Sequence, residues 1–426
     1  MSEVIELLQR LIRVDTTNPP GNETAAAELL RDYLEPAGVE CELFGRVPER
    51  ANLVARIRGT GDGPSLAFLS HTDVVLADHS EWERHPFEGE LVDGEVWGRG
   101  ALDMKCEVAA SAVAMATLAR EGWRGGGDLV FIAAADEEVG AGFGLEWLVD
   151  EHPEAVRTDY SVNEGGGERV TLGDRVVYVC ATAEKMTSPF QLRVLGRSGH
   201  ASMPSIADNA LVKAAPLIER LGRFSVEPQL VPEVEAFFLA TRGSVPAPGD
   251  ALAAARALSP LAGELVEPLL GMTVSPTVVR ASQKRNVIPA VCEITIDVRL
   301  LPGQSPADAE AKLRACLGEG DYELVSLAQH GGTRSEIGGA LWDAAESFVA
   351  AEEPGAALAP VCVAGFTDSH WVRDAFGTVA YGFFPSRTMA PEVAARLIHS
   401  ANERVPVADV ELGLRWLLQA ARSVCG

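Results

Sequence analysis

The chain is poor in several things, and each shortage removes a class of function. Positive charge is the first. Asp and Glu number 61 against 36 Lys and Arg, a net charge of −25, and no basic cluster interrupts the acidic balance. A phosphate backbone would be repelled, which argues against nucleic-acid binding. Long apolar runs are also missing. The best candidate, residues 108–119, is Ala-rich, broken by Ser111 and Thr117, and shorter than the roughly 18 residues of a membrane span. The seven cysteines are an odd number, widely spaced, with no CxxC. That excludes a regular disulfide framework and fits a reducing cytoplasm. The opening MSEVIELLQRLIRVD mixes acids with apolar residues and reads as an amphipathic helix rather than a signal peptide.

What remains is ordinary for a globular protein. The 426 residues are 47% hydrophobic and 23% charged, enough chain for two or three domains with a sizeable core. Short apolar runs at 52–58, 65–70, 128–134 and 175–181 have the length of buried strands, with helical patterns at 105–121 and 143–151 between them. This alternation predicts an α/β layer architecture with a central mixed sheet. After Lys185 the texture changes. Strand, helix, two strands, helix and strand follow in the order of a ferredoxin-like unit, expanded at 223–272 by a proline-rich, partly helical segment. Residues 186–331 therefore read as a domain inserted between 1–185 and 332–426, serving as a lid or a dimer contact.

Chemistry concentrates just past the predicted strands, in SHTDVV (70–75), GRGALDMK (98–105), AADEEVG (134–140) and NEGGG (163–167). A fifth segment, LIHSANERV (397–405), lies near the C-terminus. In open α/β sheets ligands bind at the carboxyl ends of strands. Imidazole and carboxylate together suit zinc or another divalent ion. In His71-Thr72-Asp73 the residues at i and i+2 share a side of an extended chain, so Asp73 can orient a metal-binding His71 ring. In Glu137-Glu138 adjacent acids diverge, so one can ligate while the other acts as base. Each residue alone has a plainer reading: a core histidine, solvated charge, a helix cap or a turn.

The ordered set SHTDVV, GRGALDMK, DEEVG, NEGG, GRSGHAS and HSANERV resembles the zinc amidohydrolase family of aminoacylase, carboxypeptidases G and S, acetylornithine deacetylase and succinyl-diaminopimelate desuccinylase. The resemblance implies two divalent metals, zinc by default, with cobalt or manganese able to take the same ligands. His71 and Glu164 would hold one metal, His399 and Glu138 the other, and Asp103 would bridge them. Asp73 would orient His71, and Glu137 would be general base towards water activated between the metals. The Asp103–Met104 peptide would be cis. His200, from the partner subunit of a homodimer, would stabilise the oxyanion. Asn286 of QKRNVIP and Arg299 of DVRLLPG would hold a substrate carboxylate. AGFTDSHW (364–371) matches the family's GGTD loop with Phe366 for the second Gly, and Ser400 stands where Gly is frequent. These departures bear on substrate preference more than on catalysis.

The implied activity is hydrolysis of an amide beside a free carboxylate, in an N-acyl-amino acid or a peptide. The apolar residues of the 223–272 expansion, such as Phe237, Phe238 and Leu239, would line an acyl pocket or serve as core. The rivals are a dipeptidase, a desuccinylase or deacetylase, and a metal-free binding protein on the same fold.

Overall fold

The computed structural model describes residues 2–173 and 175–426. Its main sheet has nine strands. Eight run in the order Glu40–Gly45, Ala51–Ile57, Leu129–Ala134, Leu66–His71, Tyr160–Asn163, Val379–Gly382, Arg175–Glu184, Ala357–Val363, and Arg169–Leu172 pairs with Arg175–Glu184. Strand Leu66–His71 lies parallel to both of its neighbours, Leu129–Ala134 and Tyr160–Asn163. All six of its residues are buried, as the unbroken apolar run requires of a strand covered on both faces. Helices Glu3–Ile12, Lys105–Arg120 and Val407–Val424 cover one face. Lys105–Arg120 is buried nearly all round, which its small alanines permit.

The chain leaves strand Leu66–His71 to one side for Leu129–Ala134 and returns on the other side as Tyr160–Asn163. That is a topological switch point, and it places the ends of three strands side by side. His71 is in register with Ala134.

A second, six-stranded sheet is built wholly from segments between Met186 and Gly331. Its four main strands pair in the order Tyr322–Ser326, Phe190–Leu195, Val291–Leu300, Thr273–Arg280, all antiparallel. With helices Ala210–Gly222 and Pro306–Leu317 this is the ferredoxin-like arrangement. Helix Pro306–Leu317 opens on Ser305, whose hydroxyl accepts from Asp308 N–H in a capping box.

The 223–272 expansion does not pack as the continuous 186–331 unit implies. Helices Pro232–Arg242, Ala251–Leu258 and Pro260–Val266 bury Val234, Phe237, Phe238 and Val266 against Val170, Val177, Val179 and Cys362 of the main sheet. The apolar surface they cover belongs to the last strands of that sheet. Lys185 stands at the seam, fully buried. It donates from Nζ to the carbonyls of Pro268 at 2.7 Å and Gly271 at 2.9 Å. Strand Glu40–Gly45, half exposed and acidic, has no apolar run to announce it; it forms the sheet edge through pairing with Ala51–Ile57.

Candidate metal centre

The switch point gathers the predicted ligands. Asp103 divides its carboxylate: Oδ1 lies 3.1 Å from His71 Nε2 and Oδ2 3.1 Å from His399 Nε2. Glu164 Oε2 is 3.8 Å from His71 Nε2, and Glu138 Oε2 is 3.1 Å from His399 Nε2. Donor atoms of His71, Glu137 and Glu164 lie within 4.8 Å of one another, as do those of His71, Asp103 and Glu138. The structure thus brings together His71, Asp103, Glu137, Glu138, Glu164 and His399.

Each is positioned by a separate piece of backbone. Glu137 and Glu138 follow Asp136, which turns the chain with φ 66°. His399 adopts φ 60° at the end of helix Pro391–Leu397, a left-handed conformation that costs a non-glycine residue about 1–2 kcal/mol. Asp103 precedes a cis peptide to Met104. Its loop is held by Glu403, whose carboxylate accepts from the N–H groups of Gly100, Leu102 and Asp103 and pairs with Arg99 at 2.6 Å.

Asp73 does more than orient one ring. Its carboxylate accepts from Asn18 Nδ2 at 2.8 Å and from the backbone N–H groups of Glu137 and Glu138, each at 3.2 Å. Because those donors claim it, His71 Nδ1 sits closer to the Asp73 carbonyl, at 3.1 Å, than to Oδ1, at 3.5 Å. Asp73 therefore fixes the first histidine and both glutamates together. Asn18 also donates to Asp136, which pairs with Arg50, itself paired with buried Glu23.

The electrostatics call for cations. The cavity around the cluster, about 310 Å³, is lined by Asp103, Glu107, Glu137, Glu138 and Glu164, and by no Lys or Arg among the described residues. Glu138 Oε1 is buried without a hydrogen-bond partner, as are both carboxylate oxygens of Asp368. Burial, reinforced by neighbouring Glu164, pushes the Glu137 and Glu107 carboxyls well up. His399 is pushed up to about 10 by its contacts with Asp103 and Glu138. A buried acidic cluster with paired imidazoles and an orphan oxygen is the donor set of a divalent-metal site, so the residues fit two ions sharing Asp103.

Three predicted residues lie elsewhere. His200 is exposed in strand Gly199–His200, with Nδ1 2.7 Å from Ser202 Oγ. Asn286 is exposed, and its carbonyl accepts from Ala201 N–H. Arg299 is half buried and already bidentate to Asp297, at 3.0 and 3.2 Å, with Thr187 on its remaining nitrogen. None of the three lines the cavity. Several residues that do build the site were not singled out. Glu107 lies four residues after Asp103, on the first turn of a helix, a spacing that carries a usable signal. Asp368 and Glu403 lie inside the AGFTDSHW and LIHSANERV motifs without a role assigned to them, and Asn18 and Arg50 were given none either. His330 and His370 pack beside Phe366 and Trp371 next to the cavity.

The chain is similar to several known proteins. The succinyl-diaminopimelate desuccinylase of Cereibacter sphaeroides is 28% identical over 423 residues, covering 96% of this chain and 95% of the relative. That of Methylobacterium radiotolerans is 36% identical over 219 residues, 49% of this chain and 52% of the relative; in that alignment the chain spans about half the relative's length. Among solved structures, an M20 family metallo-carboxypeptidase from Sulfolobus solfataricus superposes with a TM-score of 0.74 at 16% identity, over 100% of this chain and 99% of that one. Human carnosine dipeptidase 1 gives 0.68 at 17% identity, over 99% and 96%. At such identities the structural likeness speaks for the fold alone. The profile of peptidase family M20/M25/M40 matches residues 67–423, and the chain belongs to that family as a metal-dependent hydrolase of amide bonds.

Proposed function

We propose that the chain cleaves an amide bond beside a free carboxylate, in an N-acyl-amino acid or a peptide, with Glu137 as general base. The observation that carries this reading is the division of the Asp103 carboxylate between His71 and His399, each at 3.1 Å. His71, Glu164 and Asp103 Oδ1 would hold one ion; His399, Glu138 and Asp103 Oδ2 the other. Nitrogen and carboxylate donors suit zinc, and also accept cobalt or manganese. Such ions supply Lewis acidity and lower the pKa of water at the site.

The chain's own residues would do the rest. Asp73 holds the Glu137 backbone, so the carboxylate of Glu137 faces the cavity from a fixed position. Glu137 takes a proton from the attacking water at its carboxylate and passes it to the leaving nitrogen. Arg299 and Asn286 would bind the substrate carboxylate, which requires Arg299 to exchange Asp297 for substrate. His200, supplied by the partner subunit of a homodimer formed through the 186–331 insertion, would stabilise the oxyanion. Residues 1–185 and 332–426 would form the catalytic body. All seven cysteines are free thiols, which fits a cytoplasmic site, and among the described residues no helix is long and apolar enough to cross a membrane.

Glu137→Gln tests the assignment. Turnover should vanish while metal content, read by mass spectrometry, stays at two ions per chain. A variant that keeps most of its rate overturns the role of Glu137. A second reading, a desuccinylase, is favoured by the full-length similarity to the Cereibacter sphaeroides protein. A pooled panel of N-succinyl, N-acyl and dipeptide substrates separates the two.

A further inference from the structure

The cavity of the acidic cluster adjoins a second one of about 300 Å³. The two share Gly165, Glu168, Val363 and Ile398. Gly165 follows Glu164 and Ile398 precedes His399, so the second cavity begins beside a ligand of each proposed metal. One wall is the strand pair carrying Val170 and Val179; the other is Val234 and Phe237 of the helical expansion. All four side chains are at least 94% buried and belong to one apolar cluster. A volume of 300 Å³ sits at the lower end of the roughly 300–1,000 Å³ of small-molecule pockets, so it suits one substituent of a substrate rather than a whole ligand.

Its charge is one-sided. Among the described residues no Lys or Arg lines either cavity, whereas Glu168 stands where the two meet. Glu233 in the wall is engaged by Arg334 at 3.4 Å, and Glu264 is exposed at the rim. An anionic group entering here would lose its water and meet carboxylates, with no Lys or Arg in the lining to pair with it. An uncharged apolar group loses nothing and buries its surface.

We infer that this cavity receives a bulky apolar group attached next to the scissile amide, either an acyl chain or an amino-acid side chain, and that it discriminates against an anionic acyl group such as succinyl. The inference rests on the proposed amide hydrolysis and names its substrate class. The expansion at 232–269 is then a specificity wall, built by packing onto the catalytic sheet.

The test uses the full chain loaded with zinc. One arm compares N-acetyl-, N-hexanoyl-, N-octanoyl- and N-succinyl-leucine; the other compares N-acetyl-alanine with N-acetyl-tryptophan. Along the arm whose group fills the cavity, kcat/KM should rise by roughly fourfold per added methylene equivalent until the space is full. N-succinyl-leucine should fall below N-acetyl-leucine. Ala395 is exposed on helix Pro391–Leu397 at the cavity edge, so Ala395→Trp can obstruct it without disturbing the core. That variant should cut the ratio of the largest to the smallest substrate by about tenfold. Calorimetric titration of the same compounds onto Glu137→Gln protein reads occupancy without turnover. Apolar-selective binding that Ala395→Trp weakens, with no hydrolysis by the unaltered chain, would sustain the cavity and sink the hydrolytic reading. Hydrolysis that is flat along both arms, or that favours succinyl, would overturn the cavity and leave hydrolysis standing. Neither binding nor turnover would overturn both.

Discussion

The proposed metal ligands and the proposed substrate-carboxylate ligands sit in different kinds of structure. His71, Glu138 and Glu164 stand at the ends of adjacent strands of the main sheet, and buried Asp73 and Glu403 hold the backbone that carries Asp103, Glu137 and Glu138. Within 186–331, His200 and Asn286 lie exposed at a separate two-stranded ribbon, Gly199–His200 with Val287–Ile288, and Arg299 of the second sheet is occupied by Asp297. The first set is preorganised within one chain. The second awaits a rearrangement, a partner subunit or a substrate. On the proposed roles, metal capture would be a property of the main sheet, while substrate capture would depend on where the 186–331 segments are placed.

The sharpest way to break the contrast is Asp73→Asn. The amide nitrogen would replace one carboxylate oxygen and face the N–H of either Glu137 or Glu138, removing an acceptor from the turn that carries both. We expect metal affinity to fall by about 10–100-fold, measured by competition with a chromogenic chelator. Unchanged affinity would mean that the cluster does not depend on its supports. Arg299→Ala examines the other region. If the guanidinium leaves Asp297 for a substrate carboxylate, KM should rise by about tenfold with metal content intact. A loss of metal instead would erase the division between the two sheets.

The smallest effect is expected at the seam. Burial lowers the Lys185 pKa to about 8, with Asp297 and Arg299 among its charged neighbours, against about 10.4 in an unfolded chain. Below pH 8 the amine is charged in both states, and the fold bears the full cost of burying it. Between pH 8 and 10.4 the unfolded chain binds more protons, so stability rises with pH, and above that range the cost is gone. The Tm of the unaltered chain relative to Lys185→Met should therefore improve from pH 8 to 10. A gap that does not move with pH would show that the lysine is not held in this way.

Much of the centre was legible because its motifs are local. Leu66–His71 and Leu129–Ala134 announce themselves as apolar runs, and an acid or imidazole just past such a run lies at the carboxyl edge of the sheet. Helix 105–120 was visible in its composition for the same reason. The supports were not legible. Glu403 and Arg99 are 304 residues apart, and Asn18 meets Asp136 across 118. Arg99, Asp136 and Glu403 sit inside motifs, yet their partners are set only when the chain closes. The edge strand Glu40–Gly45 was missed because half exposure leaves it no apolar pattern.

The sequence by itself determined the α/β alternation and the ferredoxin-like order of the insertion, since backbone period acts over a few neighbours, and its ordered motifs resemble a family whose ligands fall on His71, Asp103, Glu138, Glu164 and His399. Tertiary structure alone decided that Asp73 serves both glutamates, that the 232–269 helices join the catalytic sheet, and that an apolar cavity adjoins the acidic cluster. Those outcomes depend on which buried surfaces and unpaired donors meet when distant segments pack, and no local pattern encodes that meeting.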